Sequence, residues 1–153
     1  MIHETAVVDP QAELADDVEV GPFTVIGPGV RIGPGSRVGP HAVIEGNTTL
    51  GAGVQVFQFA SVGAPPQDKK YAGGETRLEV GEGTIIRECA TLHVGTEDDE
   101  GVTRVGAECL VMAYVHIAHD CEVGDGVILS NAVTLAGHVH VGSRAVLGGM
   151  TAI

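Results

Sequence analysis

The chain has 153 residues, including 23 glycines and 7 prolines, and a formal net charge of −12. So many glycines exclude a conventional helical bundle, because each costs about 1 kcal/mol in a helix interior. The acidic balance argues against nucleic-acid binding, which needs clustered positive charge. No apolar run approaches the ~18 residues of a membrane span, and the N-terminus has no signal-peptide pattern. Three cysteines without C-x-x-C spacing are typical of reduced thiols. We therefore expect a cytoplasmic protein.

Short strands that recur every six residues are the first elements predicted along the chain. A Val, Ile or Leu stands at every sixth position over 2–62, 80–92 and 105–153, often followed by glycine. Six is a multiple of the strand period of two but not of the helical 3.6, so these side chains share one face only in strands. The pattern is a hexapeptide β-helix repeat. It predicts one all-β domain, 1–153, a parallel β-helix with about three hexapeptides per turn and about seven stacked turns.

Two interruptions of the repeat, at 63–79 and 93–104, predict inserted loops, which often carry function in solenoid proteins. The first contains the only two lysines of the chain, Lys69 and Lys70. The second contains the acidic run 97–100, which we expect to be a solvated tip without a role. Because a triangular stack has three flat sides and open strand edges at its ends, a homotrimer is favoured.

Histidines concentrate in the later part of the repeat. Because one turn holds 18 residues, Gly137 should stack beside His119, and His138 beside Asp120. A histidine oriented by a carboxylate can take a proton from a hydroxyl, and a glycine N–H can stabilise an oxyanion. These groups suffice for acyl transfer to an alcohol. Three histidines can also hold a catalytic zinc, so a zinc enzyme similar to the gamma-class carbonic anhydrases is an alternative. The four histidines are His93, His116, His119 and His138.

Five short motifs are more specific than the repeat itself. They lie at 58–63, 66–71, 116–121, 135–139 and 148–152. On these motifs, in this order, the chain resembles the bacterial acyl-[acyl-carrier-protein]–UDP-N-acetylglucosamine O-acyltransferases over essentially its whole length. The resemblance implies a left-handed parallel β-helix that forms homotrimers, with sites between adjacent subunits. It also implies the first reaction of lipid A synthesis. Left-handed crossovers are exceptional among parallel strands, so only the resemblance predicts the hand.

The resemblance further implies roles for individual residues. His119 matches the general base that deprotonates the glucosamine 3-hydroxyl, Asp120 matches its support, and Gly137 matches the oxyanion donor. Acyl carrier protein supplies a (3-hydroxy)acyl chain as its thioester, UDP-N-acetylglucosamine accepts it, and neither metal nor cofactor is required. The positions that match substrate-binding residues are Gln67, Asp68, Lys70, His93, His116 and His138.

Members of the family continue into further turns and a helical C-terminal domain, so we expect a C-terminally shortened chain. A non-catalytic trimeric remnant is therefore a further alternative. The sequence leaves open the acyl chain length and whether the sugar's 3-position bears oxygen or nitrogen. Because the proposed substrates are anionic like the chain, binding must rest on a local positive patch. We expect that patch at Lys69, Lys70, Arg77 and Arg87.

Overall fold

The computed structural model describes all residues, 1–153, and contains short strands and no helix. The strands form three parallel sheets of seven strands each. Consecutive strands belong to consecutive sheets, so each turn of the chain visits all three sides of a triangular prism. The chain is a left-handed parallel β-helix, which confirms the predicted fold class.

Each sheet is built from every third strand of the chain. Sheet 1 contains β1 (Val7–Val8), β4 (Val25–Ile26), β7 (Val43–Ile44), β10 (Ser61–Ala64), β13 (Thr91–His93), β16 (His116–Ile117) and β19 (Thr134–Leu135). Sheet 2 contains β2 (Glu13–Leu14), β5 (Arg31–Ile32), β8 (Asn47–Leu50), β11 (Arg77–Val80), β14 (Val102–Val105), β17 (Glu122–Val123) and β20 (His140–Val141). Sheet 3 contains β3 (Glu19–Val20), β6 (Arg37–Val38), β9 (Gln55–Val56), β12 (Ile85–Ile86), β15 (Leu110–Val111), β18 (Ile128–Leu129) and β21 (Val146–Leu147).

The six-residue aliphatics fill the prism as predicted, in a core of 31 buried apolar residues. Ile44, Leu92 and Ile117 are fully buried. The end residues of the series, Ile2 and Ile153, are about half exposed, because no further turn covers them. Burial of this continuous column contributes about 25 cal/mol per Å² of apolar surface and is the main stabilising term of the fold.

Several small polar side chains also point into the prism and donate to a carbonyl in the next turn. The Thr24 hydroxyl donates to the Gly39 carbonyl over 2.7 Å, and the Cys121 thiol donates to the Ala136 carbonyl over 3.0 Å. Cys109 and Cys121 are buried and free, as predicted for small inward residues. These inward donors are thereby satisfied without interrupting the apolar column.

Both loops leave the prism where sheet 1 turns into sheet 2, a corner that we name the site corner. The first loop, 65–76, joins β10 to β11, and the second, 94–101, joins β13 to β14. They are shorter than the predicted 63–79 and 93–104, because β10 and β14 run four residues each and take up the ends of the interruptions. No helix in the structure has the length and apolarity needed to cross a membrane.

Candidate active site

His119, Gly137 and His138 lie on consecutive turns of the site corner, as the 18-residue spacing predicts. The His138 N–H donates to the His119 carbonyl over 3.0 Å. The His119 and His138 rings meet edge to face with centroids 5.1 Å apart. A Cβ added at Gly137 would lie 2.7 Å from His119 Nε2, which is closer than a methyl carbon can approach a ring nitrogen. The absence of a side chain at Gly137 therefore makes room for the His119 ring.

Asp120 fixes both the orientation and the tautomer of His119. Its side chain is only 2% exposed, and Oδ2 lies 2.9 Å from His119 Nδ1. Thr96 donates to the same carboxylate twice, from N to Oδ1 over 2.9 Å and from Oγ1 to Oδ2 over 2.6 Å. An ionised carboxylate only accepts hydrogen bonds, so Nδ1 of His119 is the donor. In the neutral ring, Nε2 then carries the lone pair, which is the arrangement of a general base.

The amide of Gly137 is an open hydrogen-bond donor beside that base. His138, the next residue, uses its N–H to bond the preceding turn, but the Gly137 N–H donates to no protein acceptor. Because the Gly137 backbone lies against the His119 ring, an oxygen close to both groups could meet the imidazole and the amide together. This combination suits the stabilisation of a developing oxyanion.

His93 and His116 form a second pair of rings, which meet edge to face 4.9 Å apart. Burial, with smaller contributions from His116 and His119, lowers the pKa of His93 to about 4. Burial and the charge of His119 also lower the pKa of His116, whose Nδ1 lies 2.7 Å from Thr91 Oγ1. Nδ1 of His93 is buried without a protein partner. At neutral pH this pair therefore offers uncharged hydrogen-bonding groups, one of which, Nδ1 of His93, has no partner in the protein.

The first loop brings Asp68 to His119 but leaves its neighbours in solvent. Asp68 Oδ2 lies 4.0 Å from His119 Nε2, while Asp68 Oδ1 accepts a hydrogen bond of 2.9 Å from the Lys70 amide. Gln67 and Lys70 are exposed. Among the residues predicted from the first loop, only Asp68 therefore reaches the histidines directly.

The predicted positive patch is wrong in part. Arg87 follows β12 of sheet 3, where it pairs with Glu88 over 2.8 Å and lies over the ring of Phe57, away from the site corner. Arg77 pairs with Glu79 over 2.7 Å. Both arginines thus have carboxylate partners, and the lysines of the first loop remain as its exposed cations.

The acidic run 97–100 is not the idle tip that the sequence suggests. Asp99 Oδ2 lies 2.7 Å from His138 Nδ1, and this hydrogen bond lowers the pKa of Asp99. Glu97 accepts a hydrogen bond from the Gly74 amide and so joins the two loops. Glu100 pairs with Arg104 over 2.9 Å. Sequence reasoning missed these contacts, and Thr96 with them, because loop residues outside the repeat have no register that predicts their neighbours.

Within this one chain, the side chains that could ligate a metal do not include a set of three histidines, and a zinc site shared between subunits stays a prediction. One group of three has its ligand atoms within 4.8 Å of one another, and it consists of His119, Asp120 and His138. Nδ1 of each ring in this group already faces a carboxylate. His93 and His116 belong to the separate ring pair.

Comparison with known proteins supplies the context of this site. The chain matches the family described as bacterial transferase hexapeptide (six repeats) over residues 11–46, 23–58 and 103–137. It is 55% identical to the acyl-[acyl-carrier-protein]–UDP-N-acetylglucosamine O-acyltransferase of Herminiimonas arsenicoxydans and 58% identical to that of Janthinobacterium sp. (strain Marseille), covering 100% of this chain and 58% of each relative.

Solved structures agree with these relatives. The UDP-N-acetylglucosamine acyltransferase of Francisella novicida superimposes with a TM-score of 0.97 at 44% identity, over 99% of this chain and 55% of that one. LpxA from Acinetobacter baumannii gives a TM-score of 0.97 at 48% identity, over 99% of this chain and 58% of that one. The chain thus spans little more than half the length of the proteins that it matches.

Proposed function

Because the chain belongs to the bacterial transferase hexapeptide family, we propose that it transfers a (3-hydroxy)acyl chain from acyl carrier protein to the 3-hydroxyl of UDP-N-acetylglucosamine. This is the first step of lipid A synthesis. One observation carries the proposal: Asp120 holds His119 by Nδ1, and Nε2 is left as a base beside the open Gly137 amide. The names of the relatives supply the substrate classes.

In the proposed reaction, Nε2 of His119 takes the proton of the sugar hydroxyl as its oxygen attacks the thioester carbonyl. Asp120 stabilises the imidazolium that forms, since Oδ2 lies 2.9 Å from Nδ1. The carbonyl oxygen gains negative charge and accepts a hydrogen bond from the Gly137 N–H. The tetrahedral intermediate then collapses, the carbon–sulfur bond breaks, and the carrier-protein thiolate takes the proton from His119. Base catalysis of this kind contributes about 10²–10⁴-fold.

The remaining predicted residues have binding roles in this proposal. The neutral pair of His93 and His116 would hydrogen-bond the sugar nucleotide, and the unpartnered His93 Nδ1 supports that assignment. Asp68 would hold a substrate hydroxyl near His119, from which it lies 4.0 Å away. Gln67 and Lys70, exposed on the same loop, would contact the substrates from the solvent side, and His138 would position them.

We further propose that the active form is a cytoplasmic homotrimer with its sites between subunits, without metal or cofactor. Two features support a second subunit at the site: Lys70 is exposed on the first loop, and His138 is about half exposed. Both side chains would gain contacts if a neighbouring chain lay against the site corner.

A direct assay tests the function. The chain is incubated with 3-hydroxyacyl carrier protein and UDP-N-acetylglucosamine, and the mass of the product is measured by mass spectrometry. The proposal requires an O-acylated sugar nucleotide and release of the free carrier-protein thiol. A folded chain that forms no product would be the non-catalytic remnant. A parallel reaction with the 3-amino analogue of the sugar determines which acceptor is preferred.

The zinc alternative is tested on the same purified protein. Metal analysis should find no stoichiometric zinc, and activity should survive dialysis against a chelator. One zinc per subunit, with loss of activity on its removal, would contradict the metal-free reaction. His119, Asp120 and His138 would then be its ligands.

A further inference from the structure

We propose that Asp99 is a positioning residue of the site, which holds the His138 ring over Asp120 and His119. The inference rests on the proposed function. It concerns a residue in the acidic run, which neither the repeat nor the family resemblance singles out. The contact joins residues 39 apart in the chain, with Asp99 Oδ2 2.7 Å from His138 Nδ1.

The second loop is held in place at its base, so the position of Asp99 is fixed. Thr96 is buried and bonds the Asp120 carboxylate through both its amide and its hydroxyl. Gly95 lies so close to the Asp120 carboxylate on the next turn that a Cβ there would be 2.8 Å from Oδ1. These contacts anchor the loop on the turn that carries His119. Asp99 extends from that anchor across to the next turn, which carries His138.

The bond to Asp99 is the one hydrogen bond that the His138 ring makes. The side chain is 49% exposed, and its second nitrogen, Nε2, lies 3.8 Å from Asp120 Oδ2. An exposed histidine would normally sample several rotamers. The Asp99 carboxylate accepts from Nδ1 and thereby selects the rotamer in which Nε2 faces the Asp120 carboxylate. In this orientation the ring also meets the edge of His119, with centroids 5.1 Å apart.

The hydrogen bond to Asp99 determines that Nδ1 of His138 carries a proton, because an ionised carboxylate accepts but cannot donate. Asp99 Oδ2 lies 2.7 Å from Nδ1, whereas Asp120 Oδ2 lies 3.8 Å from Nε2, beyond hydrogen-bond distance. Nε2 is left facing Asp120 and the substrate space, where it can shield the His119–Asp120 pair from water or donate to a bound oxygen when protonated. Without Asp99, neither the rotamer nor the tautomer of His138 is determined.

The chain provides a matched control next to Asp99. Asp98 is exposed, carries the same charge and has no hydrogen-bond or ion-pair partner in the structure. Asp98→Ala therefore removes one negative charge from the same loop without touching His138. Comparing Asp98→Ala with Asp99→Ala removes the general effect of charge. Because Asp99 Oδ1 also accepts a hydrogen bond of 2.9 Å from the Glu100 amide, a His138→Ala background then separates the His138 contact from this bond within the loop.

The test measures kcat and KM for acyl transfer by the wild-type chain and both variants. We expect Asp99→Ala to lower kcat about tenfold, the low end of what a charge-assisted hydrogen bond supplies, with Asp98→Ala within about twofold of wild type. The loss should vanish in a His138→Ala background, because Asp99 acts through that ring. An equal loss in both aspartate variants, or a loss that persists without His138, would overturn the inference.

A spectroscopic readout tests the contact independently of activity. In protein labelled with ¹⁵N-histidine, the His138 Nδ1 proton should be detected in wild type and Asp98→Ala and lost in Asp99→Ala. If wild type itself transfers no acyl group, the proposed function fails. If wild type is active but the His138 signal and kcat are unchanged in Asp99→Ala, the inference alone fails.

Discussion

The site corner and the corner where sheet 2 turns into sheet 3 have the same backbone and different contents. In each, the turn contains a residue in the left-handed region, with φ of 59° at Asp120 and 65° at Gly126. Several turns of the sheet 2–sheet 3 corner use glycine here, at Gly35, Gly53, Gly83 and Gly126. On the turns that carry the site, the same position is Asp120 or His138.

The comparison teaches what the site corner does with a strained turn position. A non-glycine residue in the left-handed region costs about 1–2 kcal/mol, and such residues occur in every corner of the prism, Glu108 and Ala132 among them. At the site corner the side chains placed in this way make the contacts of the site. At Asp120 that direction places the carboxylate between Thr96 and His119. At His138 it places the ring against His119. The repeat supplies the turn, and in the site corner the left-handed residue of that turn directs its side chain toward His119.

A large effect should separate two glycines in neighbouring corners of the same turn. A Cβ at Gly137 would overlap the His119 ring, whereas one at Gly142, in the sheet 2–sheet 3 corner, meets nothing within 4 Å. The His119 ring would have to move off Asp120, and a displacement of about 1 Å in a catalytic group can cost about 10²-fold. We expect Gly137→Ala to lose about 100-fold in kcat, with Gly142→Ala near wild type, in steady-state assays. Comparable rates for the two variants would break the comparison.

A smaller effect should appear in the pH dependence of stability, through His93. Its pKa is about 4 in the folded chain and 6.5 without the burial, so the unfolded chain binds the proton more readily. Stability from this group is fully present above pH 6.5 and is lost as the pH falls towards 4. Between pH 7 and 5, the free energy of unfolding should fall by about 1–2 kcal/mol more in wild type than in His93→Gln. The free energy of unfolding is obtained from denaturant titrations at each pH. If it changes with pH in the same way in wild type and His93→Gln, that result would contradict the burial of a neutral His93.

The smallest effect should come from the turn position equivalent to Asp120 in the other corner. Glu108 has a φ of 53°, and its carboxylate lies against Gly83 without accepting a hydrogen bond. Glu108→Gly should relieve the left-handed strain, offset in part by the flexibility that glycine gives the unfolded chain. We expect the free energy of unfolding, measured by thermal unfolding, to rise by about 0.5–1 kcal/mol. Activity should be unchanged. Destabilisation would mean that the Glu108 side chain supports its turn.

The sequence predicted the framework of the molecule well, because the repeat is a physical period. Strand positions, the inward aliphatics and the buried thiols of Cys109 and Cys121 all follow from six-residue spacing. The same arithmetic placed Gly137 beside His119 and His138 beside Asp120. Only the handedness needed the family resemblance, since the spacing is identical in either hand.

The contacts made by the loops could not be predicted in the same way. Thr96 and Asp99 lie outside the repeat, so no spacing relates them to Asp120 and His138. The charge of the acidic run suggested that its side chains are solvated, whereas in the fold the Asp99 carboxylate accepts a hydrogen bond from His138. Arg87 was misplaced for the converse reason, because nearness in sequence to the first loop does not keep a residue on the same corner of a winding chain.

The rate of acyl transfer by His119→Ala, relative to wild type, tests the central claim most directly. The account predicts a loss of about 10²–10⁴-fold in kcat, which is the contribution of a general base. The thermal unfolding midpoint should change little, because the ring lies at a turn outside the apolar core. A His119→Ala chain that transfers the acyl group within about threefold of the wild-type rate would contradict the assignment of the site corner as the catalytic centre.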